Sequence, residues 1–170
     1  MVVSIDGRTT RGQKPNTFDW ASAEDQAHFA RLKNEFPVIV MGSGTYLAVK
    51  DYLQLSPTTL RIVMTQHVEE FAAKRVPGQL EFSSETPRDL LHRLAAQQIE
   101  RVLLVGGSHI NSAFFTAGLI DEIQLTLEPW VFGEGLSLSS GTQLNLLLNL
   151  KSVELLNSTG TLLLKYQVSK

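Results

Sequence analysis

At 170 residues the chain has the length of one domain, and with 43% hydrophobic and 19% charged residues it is too apolar for a disordered polymer. Lys plus Arg total 15 against 17 for Asp plus Glu, a net charge of -2 without the basic run that marks a nucleic-acid footprint. Cysteine is absent, which excludes disulfide frameworks, thiolate zinc sites and cysteine nucleophiles.

No apolar run approaches the ~20 residues that span a bilayer. Met1 to Asp6 lacks the basic region and long apolar stretch of a secretory leader, so a cytoplasmic enzyme or binding domain is expected. Met1 to Ile5 reads as a short first strand, with Asp6-Gly7 opening a turn. Gly7 to Thr17, rich in Gly, Thr and basic side chains, reads as a mobile loop. Ser22-Ala-Glu-Asp25 has a capping-box pattern and starts a helix on which Ala21, Asp25, Phe29 and Leu32 share a face. Val38 to Met41 is a buried strand followed by the turn Gly42-Ser-Gly-Thr45. Leu60 to Thr65 is another strand, and Val68 to Lys74 a short helix. Thr86 as cap and Pro87 at the first position begin a helix to about Gln98. The strand Arg101 to Val105 runs into Gly106-Gly107, and a helix from about Ile110 to Ala117 is closed by Gly118. Ile123 to Leu127 is a strand ending at Pro129, and Leu146 to Leu156 and Thr161 to Val168 form a hairpin through residues 157–160. This alternation predicts an α/β fold, a mixed and mostly parallel sheet flanked by helices, with a C-terminal antiparallel hairpin, in a single domain over residues 1–170.

Ligands in such sheets sit beyond the carboxyl ends of the strands, where both glycine turns fall, as do Asp6 and Glu128. Gly106-Gly107-Ser108 lets an anion approach the main chain while the next helix presents free N–H groups, which suits a pyrophosphate; a plain strand-to-helix turn has the same composition. Gly42 to Thr45 is a second turn of this kind, though not a Rossmann fingerprint, since Leu47 stands at the third glycine position. Asp25 shares a face with Phe29, and burial there would raise its pKa for proton delivery. As the third residue after Ser22, it equally well completes the cap. The four histidines show no metal-ligand spacing; His28 and His92 read as surface or half-buried, and no metal is expected. Trp20 and Phe18 read as core, and Leu144 to Leu150 as an adhesive edge that favours self-association.

Six motifs follow in order: Ser4-Ile-Asp-Gly-Arg8, Trp20 to Asp25, Val40-Met-Gly-Ser-Gly-Thr45, Leu104-Val-Gly-Gly107, Gly118-Leu-Ile-Asp-Glu122 and Pro129 to Gly135. Together they resemble the dihydrofolate reductase-like superfamily, which includes the reductase domain of riboflavin biosynthesis. The overall wording is closest to the riboflavin branch, especially the last two motifs. The resemblance implies an oxidoreductase that moves hydride from NADPH to a pteridine or pyrimidine compound, with a leaning towards a homodimer; charge and apolar-run length point to no nucleic-acid or membrane partner. It assigns the cofactor to Gly42, Ser43, Gly44, Thr45, Thr65, Gln66, Gly106, Gly107, Ser108, His109 and Ile110, with Ser43, Gln66 and His109 near the 2′-phosphate. The substrate falls to Ile5, Trp20, Phe29 and Thr126, and the catalytic role to Asp25.

The riboflavin enzymes carry an Asp-Pro pair and then an arginine after the first glycine turn. Val49-Lys50-Asp51 and Ser56 stand at those places here. Trp20, Asp25 and Phe29 match the pterin-binding spacing of dihydrofolate reductase, and Thr126 its pterin-side threonine. No residue matches its glutamate-tail arginine; Thr59 lies nearest, and Arg61, inside a strand, could substitute for it. On the strength of Thr126 and the missing Asp-Pro and arginine, the sequence predicts an NADPH-dependent dihydrofolate reductase making tetrahydrofolate for one-carbon metabolism. A riboflavin-pathway reductase acting on a ribosylamino-pyrimidinone phosphate is the alternative.

Overall fold

The computed structural model describes residues 1–141 and 143–169. Among the described residues, eight strands form two hydrogen-bonded groups of four. The first contains β2 (Val38–Gly42), β3 (Leu60–Met64), β4 (Leu80–Ser83) and β5 (Val102–Leu104), all parallel, in the order β4-β3-β2-β5. Parallel strands covered on both faces read as continuous apolar runs, as Val38-Ile-Val-Met41 does. Alternate residues serve opposite faces. Val38, Val40 and Ile62 pack on Leu90 and Leu94 of α3 (Pro87–Ala96) and Phe114 of α4 (Ser108–Thr116). Ile39, Met41 and Val63 pack with Tyr46 of α2 (Ser43–Val49) and Phe82. Phe82 in turn stacks on Phe71, at 4.8 Å between centroids, in the 3-10 helix Val68–Lys74.

The second group holds β1 (Val2–Ser4), β6 (Glu122–Glu128), β7 (Leu148–Leu155) and β8 (Leu162–Val168), in the order β1-β6-β8-β7. β1 lies parallel to β6, and the β7–β8 hairpin is antiparallel to it. The predicted mixed, mostly parallel sheet with a terminal hairpin is therefore the observed fold. Strand β7 exposes Leu150, Val153 and Leu155. No helix among the described residues is long and apolar enough to cross a membrane.

Helix starts agree closely with the capping signals. Ser22 and Thr86 accept the backbone N–H of Asp25 and Asp89 at 3.2 Å, opening α1 (Ala23–Glu35) and α3. Four expectations need correction. Strand β4 escapes detection because a four-residue run following a turn carries no usable periodicity. Helix α4 starts at Ser108, directly on the glycine turn, rather than at Ile110. The buried stripe of α1 is Asp25, His28 and Leu32, so His28 is core, its Nε2 sharing a hydrogen bond with Gln124 Oε1 at 3.0 Å, and Phe29 is partly exposed. Phe18 is 56% exposed rather than core.

The segment Gly7 to Thr17 is tethered rather than loose. Thr9 and Gly12 N–H groups donate to the carbonyls of Leu136 and Glu134, and Leu136 N–H donates to Thr10 Oγ1. Asp6 accepts the N–H groups of Phe132 and Gly133 and the Ser4 hydroxyl. Those donors hold its carboxyl down to about 2, the Ser4 hydroxyl contributing most. At Gly135, φ is +147° and a Cβ would collide with the Thr10 carbonyl, so the two segments meet there only because the side chain is absent.

Candidate active site

A cleft of about 1770 Å³ is lined from both strand groups and from α1, α2 and α4. Its wall includes Asp25, Phe29, Thr126, Gly42, Ser43, Gly44, Thr45, Gly107, Ser108, His109 and Ile110, eleven of the residues singled out in the sequence.

One end is built from the two strand-to-helix turns. Gly42 ends β2 and N-caps α2, while Gly107 N-caps α4; neither helix start has a side-chain cap. The Gly42 N–H donates to the Gly106 carbonyl at 2.8 Å, which holds the turns together. The Gly106–Gly107 peptide is cis. A Cβ on Gly107 would stand 3.3 Å from Thr45 Oγ1, so a side chain there would begin to fill the space between the turns. An uncapped helix start beside a glycine cradle offers backbone N–H groups and a positive dipole end to an anion. These residues fit the pyrophosphate of a dinucleotide. Asn111 and Ser112 anchor the far wall by donating to the carbonyls of Leu138 and Ser140, each at 2.7 Å.

The other end centres on Asp25. In a capping box its carboxyl would take the Ser22 N–H. Here Glu128 Oε1, reaching across from β6, takes that N–H at 2.8 Å. The Asp25 side chain is thereby released to the cleft, and the even choice between cap and function is decided by a residue more than a hundred positions away. Burial raises the Asp25 pKa, a hydrogen bond from Thr126 opposes the rise, and the Glu128 charge adds to it. Glu128 is itself 2% exposed and accepts the Thr161 hydroxyl at 2.8 Å, joining the start of α1 to β6 and the hairpin. Its presence at a strand end was visible in sequence; its hold on Ser22 was not.

Five singled-out residues stand off the cleft wall. Trp20 is 4% exposed, packed edge-on against Phe132, and its carbonyl accepts the Trp130 indole N–H. Ile5 is 57% exposed, its backbone bound to Trp130. Gly106 turns its Cα towards Met1 and Asn111. Thr65 and Gln66 follow β3, Thr65 Oγ1 accepting the His67 N–H. Sequence reasoning gave no site role to Lys33 or Asn111, which also line the cleft.

The family model described as the RibD C-terminal domain matches residues 1–162. A 2,5-diamino-6-ribosylamino-4(3H)-pyrimidinone 5′-phosphate reductase of Methanothermobacter thermautotrophicus is 31% identical over 81 residues, 46% of this chain and 38% of that protein. Acinetobacter baumannii RibD superposes with a TM-score of 0.79 at 19% identity, and this chain spans 99% of itself but 56% of that protein. The Saccharomyces cerevisiae riboflavin biosynthesis reductase Rib7 gives a TM-score of 0.66 at 16% identity, covering 99% of this chain and 87% of its own. At those identities the structures speak for the fold alone. The family match and the archaeal relative overturn the expectation of a dihydrofolate reductase. Thr126 does not discriminate a pterin, since it serves Asp25 whatever ring lies opposite. Nor does a missing arginine at one position exclude a phosphate, since a cation can enter a cleft from any element that lines it.

Proposed function

Since this chain belongs to the RibD C-terminal domain family, we propose that it is an NADPH-dependent reductase of the riboflavin pathway acting on a ribosylamino-pyrimidinone phosphate. The observation that carries this reading is one continuous cleft with a glycine cradle at one end and a desolvated acid at the other.

The backbone at Gly107, Ser108 and Gly44 would hold the cofactor pyrophosphate, with Thr45 and Ile110 as walls. Bound there, NADPH supplies the hydride. The ring-opened sugar of such a substrate presents a carbon–nitrogen double bond; hydride at carbon leaves the nitrogen in need of a proton. Asp25 is suited to hold that proton, because burial keeps its carboxyl protonated at higher pH than a solvated one. Thr126 fixes the carboxyl orientation, and Phe29 offers a ring face to the pyrimidine. Glu128, bound to the Ser22 N–H, acts as a positioning residue for Asp25.

The test is loss of NADPH absorbance on adding the pyrimidinone phosphate to the purified chain, with 7,8-dihydrofolate as comparison. Oxidation with the pyrimidine and none with the folate is expected. Inertness towards the pyrimidine would refute the reading.

A further inference from the structure

Arg61 interrupts the apolar run of β3, in register with Ile39 on β2 and Leu80 on β4, which are 2% and 5% exposed. The arginine is buried with them at 8% exposure. It forms no ion pair among the described residues, and its Nη1 is buried without a hydrogen-bond partner. An unpaired buried guanidinium is costly, and such groups are ordinarily matched to a carboxylate or another acceptor.

The neighbouring charge is a second cation. Lys33 of α1 lies over the Phe29 ring at 4.9 Å, and its pKa is lowered first by burial and then by the charge of Arg61. Both side chains line the cleft, with Gln54 and Ser56 from the segment after α2. Two partly desolvated cations therefore face the cleft close together, with no carboxylate paired to either among the described residues.

We propose that Arg61, with Lys33 beside it, binds the anionic end of the substrate, a phosphate monoester carried on the sugar. This rests on the reading of the substrate as a ribosylamino-pyrimidinone phosphate. Distance separates this anion from the cofactor's. Lys33 is eight residues along α1 from Asp25, about 12 Å of helix rise, which leaves room for a ring and a sugar between acid and phosphate. Arg61 pairs with Ile39, three residues before the Gly42 turn, so ~10 Å of strand separates it from the pyrophosphate cradle. The guanidinium fork suits two phosphate oxygens at once, and Lys33 supplies a point charge. The cation that seemed missing after the first glycine turn is thus supplied by a strand and by the last turns of α1.

The experiment is calorimetric binding of ribose 5-phosphate, with ribose and NADPH as controls, to the wild-type chain, Arg61→Met and Lys33→Met. Wild type should bind ribose 5-phosphate and not ribose. Loss of one charge-assisted contact should weaken that binding roughly 10- to 100-fold in Arg61→Met, and less in Lys33→Met. NADPH affinity should be unchanged in both; a parallel loss would assign the anion to the cofactor and overturn the proposal. So would unchanged ribose 5-phosphate binding in Arg61→Met, or no binding by wild type. If Arg61→Met fails to fold, Lys33→Met decides, and full affinity in that variant is equally fatal. In turnover, Arg61→Met should raise KM for the pyrimidinone phosphate far more than it lowers kcat. Turnover with unchanged KM sinks the anion site and leaves the function standing; Arg61-dependent ribose 5-phosphate binding without turnover by wild type does the reverse.

Discussion

Replacing Glu128 with alanine tests the chain of contacts on which the acid depends. Its carboxylate is 2% exposed and accepts two hydrogen bonds at 2.8 Å, from the Ser22 N–H and the Thr161 hydroxyl. Thr161 is 0% exposed, so Glu128→Ala leaves its hydroxyl without that acceptor. An unsatisfied buried donor costs ~1–3 kcal/mol, so the stranded Thr161 hydroxyl should cost about 2 kcal/mol, while the Ser22 N–H is left for the Asp25 carboxyl to cap. Unfolding entropy near 2.1 cal/mol/K per residue converts 2 kcal/mol into a fall of about 6 °C in Tm for a chain of 170 residues. Glu128→Gln keeps one acceptor oxygen for Ser22, and its amide can donate to a rotated Thr161 hydroxyl, so it should lose less than half as much. The functional consequence follows from position: Ser22 caps α1, and Asp25 lies three residues further on. Thermal unfolding, NADPH binding and turnover are the assays. Tm and turnover should fall together while NADPH affinity, set at the glycine turns, holds. A Tm for Glu128→Ala within about 2 °C of wild type, a cost under about 1 kcal/mol, would refute the reasoning.

Asp25→Asn should lower turnover by ~100-fold or more, the range of general-acid contributions, yet raise Tm at neutral pH. Burial raises the Asp25 pKa in the folded chain, so the fold binds that proton more tightly than the unfolded chain does. Its stabilising share is full below the ordinary carboxylate value and lost as pH rises through the folded one; a Tm–pH series in which Asp25→Asn gains nothing at neutral pH would contradict this. Asp6 has the opposite sign. Its carboxyl is held at about 2 against an ordinary 3.8, so its contribution is present above 3.8 and lost as pH falls towards 2. Asp6→Asn should flatten that part of the acid-unfolding curve, and an unaltered curve would show that the tether to Phe132 and Gly133 is energetically idle.

Much of the fold was legible locally. Ser22 and Thr86 announced their helices because a hydroxyl satisfying an orphan N–H is a contact over three residues. The glycine turns were legible for the same reason, since an absent side chain at the end of an apolar run is itself the signal. The burial of His28 is not legible locally, because one polar residue on a helix gives no account of the partner that meets it, here Gln124 on β6.

The amino-acid sequence alone determined the strand–helix order apart from β4, the superfamily and the two turns suited to an anion, because each depends on neighbours within a few positions. Only the tertiary structure decided that Asp25 faces the cleft, since Glu128 on β6 takes the N–H its carboxyl would otherwise claim. It alone brought Arg61 and Lys33 to one wall. Charge compensation and desolvation depend on distance through space, which local patterning along a chain does not encode.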